Sequence, residues 1–261
     1  MSLVNHSIIS PLDNNDSCFS ILTINREESF NAINESVLKE LINTLDLIQS
    51  DKKTKVVIIT GAGDKAFIAG ADIKLMSEMQ PEDAYEYSRF GHKLCDKIFN
   101  FSKPIIAAVN GYALGGGCEI ALACHMRFSL PNAVFAQPEV GLGILAGWGG
   151  TQRLPKVVGY GNAYDLLLTG RKISAEEAYT IGLVNKIFKN DLINNIVKST
   201  IGILHNSPNA ISKTISSINN SLNLNDEDSL LEESKLFMET FKHSDSKEGL
   251  KSFIHKKRPK F

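Results

Sequence analysis

The spacing of apolar residues along the first fifty positions changes from a strand pattern to a helix pattern. Residues 19–24 alternate between apolar and polar side chains, which predicts a β-strand. Two isoleucines at residues 8–9 and a polar turn at residues 13–16 predict a hairpin partner for it. From residue 35 to residue 50 the apolar positions recur at helical spacing. The chain is therefore predicted to begin with a hairpin followed by an amphipathic helix.

Two short apolar runs further along the chain predict buried strands. Residues 56–59 form a β-branched run that ends at Gly61, and residues 105–109 form a second run before Asn110-Gly111. Between them, Pro81 opens another helical stretch. Strands that alternate with helices favour an α/β architecture in which the strands are mostly parallel and buried.

The pattern changes again in the last third of the chain. Ser174 and Glu177 predict a capping box, Gly182 predicts the helix stop, and residues 184–188 predict a short strand. After about residue 190 no strand pattern remains, and helices are predicted near residues 191–206, 208–220 and 226–242, with one more before the basic end. We therefore expect a core with the active site at residues 1–190 and a helical region at residues 191–261.

Composition narrows the class of partners. The formal net charge is -1, so the chain as a whole offers no basic surface for nucleic acid. No stretch approaches the ~20 apolar residues of a membrane helix. The first arginine is Arg26, no basic leader precedes an apolar run, and the four cysteines show no CxxC spacing. Reduced thiols and a cytoplasmic location are the expectation.

Two glutamates in apolar, glycine-rich surroundings are the strongest candidates for chemistry. Glu119 follows three glycines at 115–117 and is expected to open an apolar helix, and Glu139 precedes the glycine-rich segment 147–153. Carboxylates are seldom placed in such surroundings unless they are paired, hydrogen-bonded or chemically useful. Two of them can divide general-acid and general-base work on one water. Free N–H groups at the start of the helix can also stabilise a developing negative charge, although a packing turn fits this motif equally well.

A second glycine turn, around Gly70, follows the first buried strand. It presents the N–H of Ala71 as a second possible donor. One donor from each of two loops would form an oxyanion hole, whereas one alone forms only a turn. Other site classes lack their motifs: no GxxxxGK[ST], GxSxG or HExxH occurs, residues 141–143 do not complete GxGxxG, and His125 is expected to be structural.

Several longer motifs together resemble one family. AFIAGADI at 66–73, KPIIAAVNGYALGGGCE at 103–119, AQPEVGLG at 136–143 and GWGGTQRLP at 147–155 resemble the enoyl-CoA hydratase, or crotonase, family, and segments 168–185 and 247–259 match it too. The resemblance runs from Asn25 to the C-terminus. It implies an α/β fold, a crotonase-like spiral of repeated ββα units with a C-terminal helical trimerisation region. It also implies an acyl-CoA substrate, a homotrimer or homohexamer, and no metal or separate cofactor, because CoA is part of the substrate.

The resemblance assigns roles to individual residues. The two acids of the hydratases match Glu119 and Glu139, and the oxyanion-hole donors match the N–H groups of Ala71 and Gly116. A glycine that helps to place the water matches Gly147. The CoA-binding positions match Ala71, Asp72, Ile73 and Lys74 in the core and Phe253 and Lys256 near the C-terminus.

Both acids together favour a hydratase. The alternatives are a Δ3,Δ2-enoyl-CoA isomerase, which needs only one of them, another acyl-CoA reaction of the same fold, and an acyl-CoA-binding scaffold, which needs neither. The chain departs from the common family pattern at His125, which replaces an aspartate, and at Ala146, which replaces a proline. Trp148 and Ile68 are larger than usual, and they predict an altered acyl pocket.

Overall fold

Two β-sheets with helices packed around them form the chain. The computed structural model describes residues 2–11, 17–222 and 224–261. The strands are β1 Val4–Ile9, β2 Cys18–Ile24, β3 Thr54–Gly61, β4 Ala66–Ile68, β5 Ile105–Val109, β6 Tyr112–Leu114, β7 Met126–Ser129, β8 Val134–Ala136, β9 Ile173–Ser174 and β10 Lys186–Ile187. The helices are α1 Glu35–Ser50, α2 Ile73–Met76, α3 Pro81–Phe99, α4 Gly116–Ala123, α5 Gly150–Val158, α6 Tyr160–Thr169, α7 Ala175–Thr180, α8 Leu192–Thr200, α9 Pro208–Ser221, α10 Asp226–Lys242 and α11 Ser244–Ile254, with 3-10 turns at Glu27–Ser29, Glu139–Leu142 and Ile201–His205.

Consecutive strands step from a larger sheet to a smaller one. Within the described residues the larger sheet has the order β1-β2-β3-β5-β7-β10 and the smaller one the order β4-β6-β8-β9. The β1–β2 and β8–β9 pairs are antiparallel and the other neighbours are parallel. β3 and β4, β5 and β6, and β7 and β8 are consecutive along the chain, with one strand of each two in each sheet. A helix follows each of these three units. This is the α/β architecture that the apolar pattern predicted and the spiral of repeated ββα units that the family resemblance implied.

The central strands are buried on both faces, which explains their continuous apolar runs. In β3, Val57 and Ile59 face the core that also contains α1, α3 and α4. Val56 and Ile58 face a second apolar layer on the opposite side of the sheet. A parallel strand covered on both faces needs apolar side chains at every position. The continuous run at 56–59 therefore reflects a strand inside the molecule.

Helix α8 covers the second face of the larger sheet. Leu192 and Ile196 of α8, with Leu204 of the following 3-10 turn, pack in one cluster with Phe19 and Phe128 of the strands. The helix predicted at 191–206 ends at Thr200, and the rest of that stretch is the 3-10 turn. The start of the predicted helical region therefore packs on the sheet. The division at residue 190 stays a prediction.

Several predicted elements agree with the structure. β1 and β2 pair antiparallel, with Ile9 opposite Phe19, and the predicted turn at 13–16 lies outside the described residues. Helix α1 has the predicted bounds, and the side chain of Asn34 caps it by accepting from the N–H of Val37 at 3.0 Å. No helix within the described ranges combines the length and apolarity that a membrane span requires.

Two further predicted boundaries are wrong. Helix α4 begins at Gly116 and not at Glu119, so two of the three glycines lie inside it. Gly117 is needed there because a Cβ would lie 2.0 Å from the backbone oxygen of Ile68. The strand predicted at 184–188 shrinks to β10, because it pairs only at the edge of the sheet, with Phe128 and Ser129.

Candidate active site

Three neighbouring strands of the smaller sheet end at one edge, and the loops after them carry the predicted site residues. β4, β6 and β8 are parallel neighbours. Ala71 follows β4, Gly116 and Glu119 follow β6, and Glu139 follows β8. Because the carboxyl ends of parallel strands meet at the same edge, this topology brings the two glycine turns and both acids together.

A cavity of about 520 Å³ lies at this edge. Its size is typical of a small-molecule site. Most of its wall is apolar, and polar groups enter it at few points. The predicted residues that line it are Ala71, Ile73, Gly116, Glu119, Glu139 and Gly147.

Glu119 is fixed in the cavity wall by two backbone donors. Glu119 is only 2% exposed, and its Oε1 accepts hydrogen bonds from the backbone N–H groups of Trp148 and Gly150, both at 2.7 Å. Gly150 is the first residue of α5. The N-terminus of a helix favours a carboxylate through its free N–H groups and its dipole. The glycine-rich segment thus holds the acid through one oxygen.

Burial places the proton equilibrium of Glu119 close to neutrality. Loss of solvation, with the nearby charge of Glu139, raises the pKa of Glu119 to about 7, although the two backbone N–H donors and Arg153 act against this rise. Burial also raises the pKa of Glu139 above its usual value. A carboxyl with a pKa near the working pH can both accept and release a proton. Glu119 therefore has the environment that proton transfer requires.

Gln137 is a site residue that the sequence analysis did not identify. It is 2% exposed, and with its amide nitrogen turned toward Glu139 it donates to Oε1 at 3.1 Å and to Oε2 at 3.2 Å. Glu139 also approaches Gly115, where φ is +49° and a Cβ would lie 2.8 Å from Oε1. A polar amide two positions before a candidate acid, inside the apolar segment FAQPEV, was the signal available in the sequence.

The two predicted oxyanion donors lie on loops that touch. Gly116 is the first residue of α4, so its N–H has no acceptor within the helix. The N–H of Ile33 donates to the oxygen of Gly70 at 2.8 Å, and the oxygen of Ile33 accepts from the N–H of Asp72 at 2.9 Å. Neither hydrogen bond uses the N–H of Ala71. Gly70 has a φ of +118°, and a Cβ there would lie 3.2 Å from the oxygen of Leu114. A positive φ with so close an approach suits glycine.

Two side chains hold the loop that contains Gly147 and Trp148. Ser88 Oγ donates to the oxygen of Gly147 at 2.6 Å. Arg153 Nη1 donates to the oxygen of Trp148 at 2.9 Å, and its Nη2 pairs with Asp96 at 2.7 Å. The sequence analysis missed both contacts. An arginine one turn after GWGG was the only local signal, and Ser88 is distant in sequence.

The predicted CoA-binding residues fall into two groups. Asp72 pairs with Arg26 at 3.3 Å, and Ile73 and Lys74 are exposed on α2, where Ile73 also lines the cavity. Phe253 and Lys256 do not line the cavity in this chain. They lie at the end of α11 and just beyond it, and both are exposed. The structure therefore brings together the core residues and leaves these two apart.

The α/β spiral thus carries two buried carboxyl groups and two glycine turns at one edge of the smaller sheet. The chain belongs to the enoyl-CoA hydratase/isomerase family, whose model matches residues 14–261.

Similar proteins and structures cover nearly the whole chain. The short-chain-enoyl-CoA hydratase of Clostridium acetobutylicum is 42% identical over 92% of this chain and 92% of its own length. The crotonyl-CoA hydratase of Syntrophomonas wolfei is 41% identical over 93% and 94%. The crystal structure of an enoyl-CoA hydratase from Bacillus anthracis superposes with a TM-score of 0.91 at 34% identity, covering 98% of each chain. These likenesses confirm the family and fold that the sequence motifs predicted.

Proposed function

We propose that the protein is an enoyl-CoA hydratase that adds water across the double bond of a trans-2-enoyl-CoA to give a 3-hydroxyacyl-CoA. The observation that carries this proposal is the pair of buried glutamates in one cavity, both with a raised pKa. The names of the two bacterial relatives support it.

Each proton in the reaction has a carboxyl group beside it. One glutamate takes a proton from water as the oxygen attacks C3, and the other delivers a proton to C2, so the elements of water are added in full. The thioester oxygen, on which negative charge develops, accepts hydrogen bonds from the N–H groups of Ala71 and Gly116. Loss of one such donor typically lowers the rate ~10²–10³-fold. CoA enters as part of the substrate, and the scheme uses no further cofactor.

Gly147 is proposed to help place the water. It lines the cavity next to Trp148, whose N–H holds Glu119. The bond from Ser88 fixes the carbonyl of Gly147, and a side chain at this position is absent, so its backbone can approach a water closely.

Hydration of crotonyl-CoA tests the proposal directly. Wild-type protein should remove the enoyl absorbance and form 3-hydroxybutyryl-CoA. Glu119→Gln and Glu139→Gln should each lower kcat ~10²–10⁴-fold, the range for loss of a general acid or base. A glutamine keeps the shape and can still accept the two N–H bonds at position 119, so binding of a saturated acyl-CoA should persist as a control for folding.

The same experiment separates the alternatives. A Δ3,Δ2-enoyl-CoA isomerase would convert a 3-enoyl-CoA rapidly and would tolerate loss of one of the two acids. A scaffold would bind acyl-CoA and leave both substrates unchanged. Near wild-type hydration by either glutamine variant would contradict the two-acid assignment.

We propose that the protein assembles as a homotrimer or homohexamer in the cytoplasm. Large apolar side chains are exposed along α10 and α11, and an apolar surface of this extent usually meets a partner. Its members are Leu230, Leu231, Phe237, Met238, Phe241, Leu250, Phe253 and Ile254. In such an assembly Phe253 and Lys256 would bind the CoA of a neighbouring subunit. The four buried cysteines are free thiols, which suits a reducing compartment.

A further inference from the structure

The indole of Trp148 forms part of the cavity wall between two helices. The residue is only 4% exposed and lines the cavity. Its ring meets that of Tyr87 edge to face, with centroids 5.5 Å apart and an interplanar angle of 66°. On either side of it lie Gly91 of α3 and Gly116 of α4. The ring thus fills the space between α3 and the start of the helix that carries Glu119.

The two glycines leave room for this ring. A Cβ at Gly91 would lie 2.1 Å from Cδ1 of Trp148, and a Cβ at Gly116 would lie 2.6 Å from Cζ3. Gly91 stands in the middle of the long helix α3, where glycine is destabilising relative to alanine. Its φ is not positive, so the backbone conformation does not require glycine. The indole is the feature that excludes a side chain there.

The ring is also held in place from several directions. The N–H of Trp148 donates to Glu119, and its carbonyl accepts from Arg153. Tyr87, which contacts the ring, is fixed by a hydrogen bond from its hydroxyl to the oxygen of Ile33 at 2.9 Å. Neither the backbone nor the neighbouring ring can move aside without breaking these bonds. The indole is therefore a rigid boundary of the cavity.

The indole lies at the buried end of the cavity, where the acyl chain of a substrate would extend. The cavity has exposed residues at its rim, including Ile73 and Leu145, whereas Tyr87 and Trp148 are buried. In the proposed reaction Gly116 holds the thioester oxygen at C1, and Glu119 acts near C2 and C3. Because the indole packs against Gly116 and the backbone N–H of Trp148 binds Glu119, carbons beyond the reacting ones would meet the ring.

We propose that Trp148 is a specificity-determining residue that limits the acyl chain to short lengths, with Gly91 as the position that makes room for it. This rests on the proposed hydratase function for the identity of the substrate. Each methylene group that moves from water into an apolar pocket strengthens binding about fourfold. An acyl chain that reaches the indole loses this gain, whereas an alanine at position 148 restores space for several methylene groups.

The test compares chain lengths in hydration and in binding. The kcat/KM values for trans-2-enoyl-CoAs of four to ten carbons are measured for wild type, Trp148→Ala and Trp148→Leu, and binding of the saturated acyl-CoAs is measured by calorimetry. Both variants keep the N–H that holds Glu119. We expect the ten-carbon to four-carbon ratio of kcat/KM to rise at least tenfold in Trp148→Ala and by less in Trp148→Leu. Tyr160→Ala, an exposed aromatic outside this cavity, should leave the ratio unchanged.

A double-mutant cycle tests the role of Gly91. Gly91→Ala should lower kcat/KM for crotonyl-CoA at least tenfold when Trp148 is present, and it should have less than a twofold effect when residue 148 is alanine. Equal binding of four- and ten-carbon chains by wild type, or unchanged ratios in both Trp148 variants, would overturn the proposal. Absence of hydration at every length, with length-dependent binding intact, would instead contradict the hydratase function alone.

Discussion

At the scale of single residues, the proposed active site contains a carboxyl group that the fold holds away from water. Glu119 has lost most of its solvation, and only two N–H donors and a distant arginine favour its charged form. An ionised group in such a place destabilises the folded protein. The raised pKa that suits proton transfer therefore has a cost in stability, and that cost can be measured.

Glu119→Gln should stabilise the protein at high pH. The folded pKa of about 7 lies above the ordinary value of 4.5, so the folded state keeps its proton after the unfolded chain has released it. Stability from this group is present below pH 4.5 and is lost as the pH rises to about 7. At pH 8 the variant should exceed wild type by on the order of 2–3 kcal/mol in free energy of unfolding, and near pH 4.5 the two should agree. Urea titrations at both pH values measure this.

A carboxylate with the opposite shift provides the control. The Thr54 hydroxyl and the N–H of Lys53 donate to Asp51 and lower its pKa. Stability from Asp51 is therefore present above its ordinary pKa and is lost as the pH falls, so Asp51→Asn should destabilise more at pH 8 than at low pH. A Glu119→Gln variant that is no more stable than wild type at pH 8 would refute the buried-acid interpretation.

The sequence was sufficient to single out the two acids as candidates but not to predict their partners. Glu119 and Glu139 stood out because carboxylates are rare in apolar, glycine-rich segments. The N–H groups of Trp148 and Gly150 were not predicted as donors to Glu119, because these contacts depend on how α5 packs against α4. Gln137 lies near Glu139 in sequence, but the direction of its side chain depends on the packing of β8. Residue type therefore indicated which side chains are candidates for proton transfer. The hydrogen bonds around them depend on tertiary structure and could not be read from the sequence.

At the scale of elements, Arg153 connects helix α5 to the loop that contains Gly147 and Trp148. It holds the carbonyl of Trp148 and pairs with Asp96 of α3, so the N–H groups that bind Glu119 depend on it. Its positive charge also opposes the rise in the pKa of Glu119 that burial causes. Misplacement of a catalytic group by about 1 Å can cost ~10²-fold in rate. Arg153 is thus expected to act on catalysis through position and through charge.

Arg153→Met should lower kcat about 10- to 100-fold, because the loop loses its hold on Glu119. The limb of the pH–rate profile that reports Glu119 should move to higher pH, since the lost positive charge no longer opposes the raised pKa of Glu119. Arg153→Lys keeps the charge but loses the planar fork, so it should lower kcat without the same shift of the limb. These profiles are measured with crotonyl-CoA.

Asp96→Asn serves as the control, because the carboxylate of Asp96 is mostly exposed and exposed ion pairs contribute little. It should change kcat less than either arginine variant. An Arg153→Met profile that superposes on that of wild type would rule out the positioning role.

The long elements were predictable from the sequence, whereas the short ones that build the site were not. Helix α1 and strand β5 have the predicted bounds because their apolar patterns extend over enough residues. Strands β4, β6 and β8 have three residues each, too few to show a period, yet their ends carry the site. The start of α4 was misplaced because glycines were expected before the helix. Gly116 and Gly117 lie inside it, where the ring of Trp148 and the backbone of β4 leave no room for a Cβ.

At the scale of the whole molecule, the chain has a cavity in its core and a C-terminal region with exposed apolar faces. Helices α9 and α10 pack together, and α11 packs on α10, but their outer faces expose large apolar side chains. Phe253 is 83% exposed, which is unusual for an aromatic residue in the absence of a partner surface. Both the expected CoA contacts of this region and its apolar faces would be satisfied by a neighbouring subunit.

Lys256→Ala should therefore raise the KM for crotonyl-CoA while kcat changes little, a pattern that indicates lost uniform binding. The increase should be larger at low ionic strength, because salt screens an exposed lysine from the phosphates of CoA. Lys257→Ala, one position further along the same basic end, is the matched control and should have a smaller effect. Light scattering on the same samples should give the mass of a trimer or hexamer. A fully active monomer, or a KM for Lys256→Ala equal to that of wild type at low salt, would show that the C-terminal end is a solvated tail and not part of a neighbour's site.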